Sequence, residues 1–153
     1  MQKILYEIVL KAQVAVEKKA RAGTTIDELN TVCWGKVNEG LEREFKLIGG
    51  KFKLKYKNRP HGVSHLMGEQ EHDGDPFRNY LQQPMQPGWM ISNEPGLYGE
   101  FRLRLNGKNY DEKIGIRIED NLVMTKTGCL NLSGKIPRTV KQIEKLMANR
   151  KKS

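Results

Sequence analysis

The three histidines of this 153-residue chain lie in one short stretch, as His61, His65 and His72. Two glutamates follow inside compact motifs: Glu94 opens Glu-Pro-Gly-Leu-Tyr, and Glu119 closes Gly-Ile-Arg-Ile-Glu. Imidazole nitrogen combined with carboxylate oxygen suits Mn, Co or Zn better than a soft thiolate site does. The chemistry indicated by these residues is metal-assisted hydrolysis.

Taken singly, these residues do not identify a metal site. A lone histidine is most often a core or surface residue, and the spacing is not that of the His-Glu-x-x-His zinc motif. Arg117 and Glu119 alternate with isoleucines, so both should lie on the polar face of a strand, opposite Ile114, Ile116 and Ile118. On periodicity alone, an exposed salt bridge between them is the favoured interpretation, and such a bridge contributes little to stability.

Three helices are predicted to surround this segment. Apolar residues at intervals of three and four predict an amphipathic helix from residue 2 to about residue 21, with Gly23 in the position of a C-terminal cap. Residues 25–28 have the form of a capping box and predict a second helix that ends by Gly49-Gly50. A further capping box at residues 139–142 predicts a last helix.

Between the second and third helices the sequence predicts extended chain. Pro60, Gly62 and Gly68 disfavour a helix through the histidines, which we expect on a strand or its connecting loop. The other predicted strands are residues 52–56, 89–93, 113–119 and 122–125, with a turn at Pro95-Gly96. This order predicts an α+β fold in which a curved, mostly antiparallel sheet is covered on one face by helices.

Composition limits the partners and the setting. The chain carries 27 basic and 18 acidic residues, a net charge of +9, and much of the excess lies in residues 51–57 and 149–153. Such runs usually form a solvated surface, so a nucleic-acid partner is not favoured. Two distant cysteines without a signal peptide indicate a reduced, cytoplasmic setting, and no apolar run approaches the roughly 20 residues that span a membrane.

Three motifs together resemble a known family. His61-Gly-Val-Ser-His65-Leu-Met-Gly68 through His72-Asp73, then residues 94–98, then residues 115–120 are similar in order and spacing to the C-terminal half of the pita-bread metallopeptidases. The likeness is greatest to bacterial Xaa-Pro aminopeptidase, or aminopeptidase P. It extends over essentially the whole chain, so residues 1–153 are interpreted as a single C-terminal catalytic-type domain of this fold.

The resemblance implies an aminopeptidase that removes an N-terminal residue preceding proline. Two divalent metals, most often Mn(2+) with Co or Zn as alternatives, hold and activate the attacking water in that family. By motif, His65 and Glu94 would bind one metal, Glu94 would also handle the proton of the water, and Glu119 would bridge both ions.

Three more roles follow from the same resemblance. His61 and His72 would lie on the substrate side and support the developing oxyanion. Arg117 would orient an aspartate ligand. The partner is then a peptide substrate with proline at the second position.

The pattern also departs from the family. Two aspartate ligands belong on an upstream hairpin, and no aspartate of this chain fits their place: Asp27, Asp73, Asp75, Asp111 and Asp120. We therefore expect a domain truncated at its N-terminal side, with one weakly held metal instead of a full dinuclear site. A separate N-terminal half, or a second copy, is the expected partner. The alternative is a catalytically incomplete module that acts in protein or nucleic-acid binding, or as the complementing half of a split enzyme.

Overall fold

A computed structural model describes residues 1–150, so the end of the basic C-terminal run, residues 151–153, lies outside the described residues. Three α-helices are present: α1 (Gln2–Lys19), α2 (Ile26–Glu39) and α3 (Val140–Arg150). Seven strands follow the chain between α2 and α3: β1 (Lys51–Leu54), β2 (Leu66–Met67), β3 (Met90–Asn93), β4 (Gly96–Leu105), β5 (Lys108–Arg117), β6 (Asp120–Met124) and β7 (Cys129–Asn131). A π-helical segment, Gly40–Phe45, extends α2, and one short 3₁₀ turn covers Asn79–Leu81.

The first two helices form for the reasons read from the sequence, with one correction. The capping box of α2 is confirmed, since Thr25 Oγ1 accepts from the Glu28 backbone N–H and Glu28 accepts from the Thr25 N–H. Helix α1 ends at Lys19, earlier than predicted. Gly23 does adopt a left-handed φ of +86°, but in the turn beyond the helix end and not as its cap.

The strands form two sheets, in both of which every pairing is antiparallel. The three-stranded sheet has the order β1-β4-β5, and the four-stranded sheet has the order β2-β3-β6-β7. Helix α1 packs against β3, β4, β5 and β7, and Phe45 meets Phe101 of β4 edge to face at 5.9 Å. The predicted α+β class with antiparallel strands and packed helices is therefore confirmed.

The chain changes sheets three times, first over residues 55–65 between β1 and β2, and the two later crossovers carry Glu94 and Glu119 of the candidate site. It leaves the four-stranded sheet after Asn93 and enters β4 at Gly96, then returns between Arg117 and Asp120. The Ile118 N–H donates to the Pro95 carbonyl at 3.3 Å, which joins the two crossovers. Pro95-Gly96 thus carries the chain into the other sheet, where the sequence had predicted a simple turn. Glu94 lies in the earlier of these two crossovers and Glu119 in the later one.

The C-terminal helix is only partly covered. Its capping box is confirmed, because Gln142 N–H donates to Thr139 Oγ1 and Gln142 Oε1 accepts from the Thr139 N–H. Leu146 and Met147, on the predicted apolar side, are each 53% exposed. Over the described part of the chain, no helix is both long and apolar enough to cross a membrane.

Candidate metal centre

His65, Glu94 and Glu119 converge in the structure. Each offers one ligand atom, and these atoms lie within 4.8 Å of one another. His65 and Glu94 are buried, whereas Glu119 is exposed. Within residues 1–150 this is the one group of three or more histidine, cysteine or acidic side chains arranged so closely.

The ring orientation of His65 suits it to bind a cation. Its Nδ1 lies 3.0 Å from the carbonyl of Leu66, which only accepts, so Nδ1 carries the hydrogen. Nε2 then presents a lone pair to Oε1 of Glu94 at 3.3 Å. Two electron-rich atoms at this distance repel unless a proton or a metal ion lies between or beside them. The donor set of one nitrogen and two carboxylates therefore fits a divalent metal.

Ser92 links the two buried ligands, and sequence reasoning missed it. Its hydroxyl donates to Glu94 Oε1 at 3.1 Å and accepts the backbone N–H of His65 at 3.0 Å. Ser92 is fully buried on β3, two residues before Glu94. The available signal was a serine in a strand that the sequence predicts to be buried, since a buried hydroxyl usually has a hydrogen-bond partner.

Arg117 holds the other oxygen of Glu94. Its Nη1 lies 3.1 Å from Glu94 Oε2, and its Nε donates to the Tyr98 hydroxyl at 2.9 Å. These two contacts hold the guanidinium in a fixed position and orientation next to the carboxylate. Strand β5 ends at Arg117, so Glu119 lies beyond the alternation that was expected to place both on one strand face. Arg117 and Glu119 approach Glu94 because the crossover brings them there.

His72 lies on the solvent side of His65. Their rings stack with centroids 4.1 Å apart and planes inclined by 34°. The intervening loop folds back to allow this contact, since Asp73 N–H donates to the Leu66 carbonyl and Asp73 Oδ2 accepts from the Glu69 N–H. His72 is exposed, so this ring can meet a molecule that approaches the centre.

His61 lies on a different flank, outside the group of converging ligands. Its Nδ1–H donates to the Gly62 carbonyl at 2.7 Å, and its buried Nε2 has no hydrogen-bond partner among the described protein atoms. Trp34 and Tyr98 contact its ring edge to face, at 5.5 and 6.0 Å. A Cβ at Gly96 would lie only 3.0 Å from this Nε2 and 2.7 Å from the Tyr98 hydroxyl, so the close packing of these two side chains requires a glycine here.

A buried asparagine fixes the histidine segment to α2. Asn30 Oδ1 accepts the N–H of Val63 at 2.8 Å and the indole N–H of Trp34 at 3.3 Å. The same segment runs along β3, because Glu94 N–H donates to the Val63 carbonyl and Ser92 N–H donates to the His65 carbonyl. His65 therefore runs along β3 next to the short strand Leu66–Met67, and His61 and His72 lie in bends before and after that strand, in agreement with the predicted strand or connecting loop.

A cluster of charged side chains holds the crossover that contains Glu119. Asp120, next to Glu119, is buried and pairs with Arg138, which also contacts Glu17 at 2.8 Å. Burial works against the charge of Arg138, yet its hydrogen bonds and attraction to Glu17 and Asp120 hold its pKa above its usual value. Asp120 is thus paired with Arg138 and is not one of the converging donor groups.

Two antiparallel sheets packed against helices, with one imidazole and two carboxylates converging where the chain crosses between the sheets, fit the fold of a pita-bread metallopeptidase. The model of metallopeptidase family M24 matches residues 1–126, and the chain belongs to this family. It is 32% identical to Xaa-Pro aminopeptidase of Escherichia coli strain K12 over 160 residues, and 31% identical to the mitochondrial intermediate cleaving peptidase 55 of Arabidopsis thaliana over 154 residues.

Solved structures give the same relationship. Aminopeptidase P from E. coli with the inhibitor Pro-Leu aligns with 99% of this chain at a TM-score of 0.75 and 27% identity. Aminopeptidase PepP of Pseudomonas aeruginosa gives the same TM-score and identity. The chain spans only 35% of the E. coli relative's length and 29% of the Arabidopsis one. Membership of the family implies a divalent metal and a peptidase ancestry.

Proposed function

We propose that this chain is the metal-binding half of an Xaa-Pro aminopeptidase, which cleaves the bond between an N-terminal residue and proline. The observation that carries the proposal is the convergence of His65, Glu94 and Glu119 within 4.8 Å at the two crossovers, in a chain of the M24 family. The names of the relatives support the substrate class, since they include Xaa-Pro aminopeptidases that match 93–99% of the chain.

His65 and Glu94 would hold one divalent ion, and Glu119 would bridge it to a second. We propose Mn(2+) as the ion, because carboxylate-rich sites with one imidazole suit a hard metal. When bound, the ions polarise the scissile carbonyl and acidify the attacking water. The lone pair of His65 Nε2 is already directed at this position by the hydrogen bond from Nδ1 to Leu66.

The surrounding side chains have separate tasks. Glu94 receives the proton of the water, while Arg117 and Ser92 hold one carboxylate oxygen each and so keep the group in place. His61 would lie on the substrate side, but its acceptor Nε2 is buried against Trp34 and Tyr98, so a peptide would contact it only when one of these rings moves. His72, stacked on His65, would border the substrate on the opposite flank.

We also propose that polypeptide other than residues 1–153 completes the centre, either a first half or a second copy. The threefold greater length of the relatives supports this, as does the exposure of Glu119. We place the protein in the cytoplasm, in agreement with its two unpaired cysteines.

The test combines metal binding with peptide cleavage. The chain is titrated with Mn(2+) by calorimetry, and cleavage of an Ala-Pro peptide is followed with the chain alone and with a first half taken from the unmatched part of the E. coli relative. Metal-dependent cleavage that requires His65 supports the proposal. Metal binding without cleavage, both by the chain alone and by the chain with the added first half, would favour the alternative of a binding module.

A further inference from the structure

One face of the three-stranded sheet is open and strongly charged. In β1, β4 and β5 the side chains alternate between a buried face, which contains Phe101 and Leu103, and an exposed face. Direct register partners share a face, so the pairs Lys51↔Arg102, Lys53↔Glu100 and Glu100↔Lys113 all lie on the exposed one. We call this surface the open sheet face; its charged members before the metal centre are Lys51, Lys53, Glu100, Arg102, Arg104, Asp111 and Lys113.

Cations predominate on the open sheet face and several lack a partner. Five basic and two acidic side chains leave a net charge of +3. The carboxylates pair within the face, Asp111 with Arg102 at 2.9 Å and Glu100 with Lys113 at 3.8 Å. Among the described side chains, Lys51, Lys53 and Arg104 have no acidic group within 4.0 Å. These three cations remain available to an external anion.

The open sheet face is continuous with the candidate metal centre. Tyr98 and Arg117 lie on the same face at the crossover end of β4 and β5, where Arg117 contacts Glu94. Distances along the sheet are counted from Arg117 at about 3.3 Å per residue. The Glu100↔Lys113 pair is then about 13 Å away and the Arg104↔Asn109 pair about 26 Å away. An extended peptide has the same rise, so these distances correspond to about four and eight residues of substrate.

We propose that the open sheet face binds the acidic downstream part of the peptide whose N-terminus lies at the metal centre. The preferred substrates would carry Asp or Glu about four to eight residues after the cleaved bond. This inference rests on the proposed function. Glu100 and Asp111 favour a peptide over a nucleic acid, because two carboxylates within the face repel a continuous phosphate backbone. Separate acidic side chains of a peptide can instead pair with the individual cations Lys51, Lys53 and Arg104.

The experiment measures peptide binding by fluorescence anisotropy at low salt. Three labelled Ala-Pro peptides carry Glu, Gln or Lys at the downstream positions, and each is titrated with the metal-loaded full chain. A double variant, Lys53→Gln with Arg104→Gln, removes two cations from the open sheet face. The matched control, Lys18→Gln with Lys126→Gln, removes two exposed cations from α1 and from the turn after β6.

We expect the Glu peptide to bind about tenfold more tightly than the Gln peptide, and to lose about threefold to tenfold in the open-face variant but not in the control. Equal affinity of the Glu and Gln peptides, or an equal loss in both variants, would overturn the inference. So would a single-stranded RNA oligonucleotide that displaces the Glu peptide at a lower concentration than unlabelled peptide does.

A second arm separates this inference from the proposed function. A Glu peptide without proline at the second position is titrated in the presence of a chelator. Retained binding that depends on Lys53 and Arg104 supports the charged surface even where no Ala-Pro peptide is cleaved. Cleavage of all three Ala-Pro peptides with equal kcat/KM supports the peptidase and rejects the acidic preference.

Discussion

The hydroxyl of Ser92 donates to Glu94, with Oγ and Oε1 3.1 Å apart in a fully buried setting. Ser92 Oγ also accepts the backbone N–H of His65. Removing this hydroxyl therefore takes one hydrogen bond from each of the two proposed ligands. We predict that Ser92→Ala lowers the Mn(2+) affinity about tenfold, as loss of a group that orients a metal ligand commonly does. Isothermal titration measures the change.

Ser64 provides the matched control. It is a neighbouring buried serine whose Oγ has no hydrogen-bond partner among the described atoms. Ser64→Ala should leave the metal affinity within about twofold of the original, because no ligand depends on it. Equal losses in the two variants would show that the effect comes from packing in the sheet and not from ligand orientation.

The histidines should differ sharply in their effect on metal binding. His65→Ala removes the nitrogen that faces Glu94 and is predicted to lower Mn(2+) affinity about a hundredfold or more. His61→Ala should retain binding, since its ring contacts Trp34 and Tyr98 and lies outside the converging group. Both variants are compared by titration with metal. Loss of binding in His61→Ala would require a different ligand set.

Asn30 is predicted to be important for stability although it is distant from the centre in sequence. Asn30→Leu leaves the buried N–H groups of Val63 and Trp34 without their acceptor, which should lower the free energy of unfolding by about 2 kcal/mol. Asn38→Leu, an exposed change on the same helix, should stay within about 0.5 kcal/mol. Urea unfolding of both variants tests the difference.

Tyr56 should make stability depend on alkaline pH. Burial, followed by the nearby Cys33 and Tyr98, raises its pKa from 10.0 to about 12. The native state then holds this proton while the unfolded state loses it, so the stabilising effect is complete below pH 10 and is lost between pH 10 and about 12.

Tyr56→Phe tests that sign. The variant should lose less stability than the original between these pH values, because the phenol no longer titrates. A decrease remains, since burial also raises the pKa of the Cys33 thiol, and burial, followed by Glu7 and Asp120, raises the pKa of Tyr6. At neutral pH the variant should gain about 1 kcal/mol, because the buried Tyr56 hydroxyl has no partner among the described residues. An unchanged alkaline decrease would contradict the assignment.

The features that could be predicted from the sequence are those encoded by a few neighbouring residues. The capping boxes at Thr25 and Thr139 bond only three residues away, and the alternation of β5 repeats every second residue, so both can be read from short windows. The convergence of His65, Glu94 and Glu119 was expected from the motifs and agrees with the geometry, while their roles as ligands stay predictions.

What the sequence could not show depends on contacts between distant segments. Asn30 reaches Val63 across 33 positions, and nothing near either residue marks the contact. Likewise, Pro95-Gly96 has the composition of a turn, but the pairing of β3 with β6 and of β4 with β5 makes it a passage between sheets. Tertiary pairing decides such cases, because the same dipeptide suits both conformations.

The placement of Glu94 and Glu119 at the two crossovers also concerns folding. A cation held there and by His65 would tie together the three segments that pass from one sheet to the other in residues 1–150, because His65 ends the first of them, residues 55–65. Since an ion that binds only the native form stabilises it by mass action, both sheets would melt as one cooperative unit when loaded. Chelation would loosen the three-stranded sheet from its neighbour, so proteolytic resistance would report occupancy of the centre.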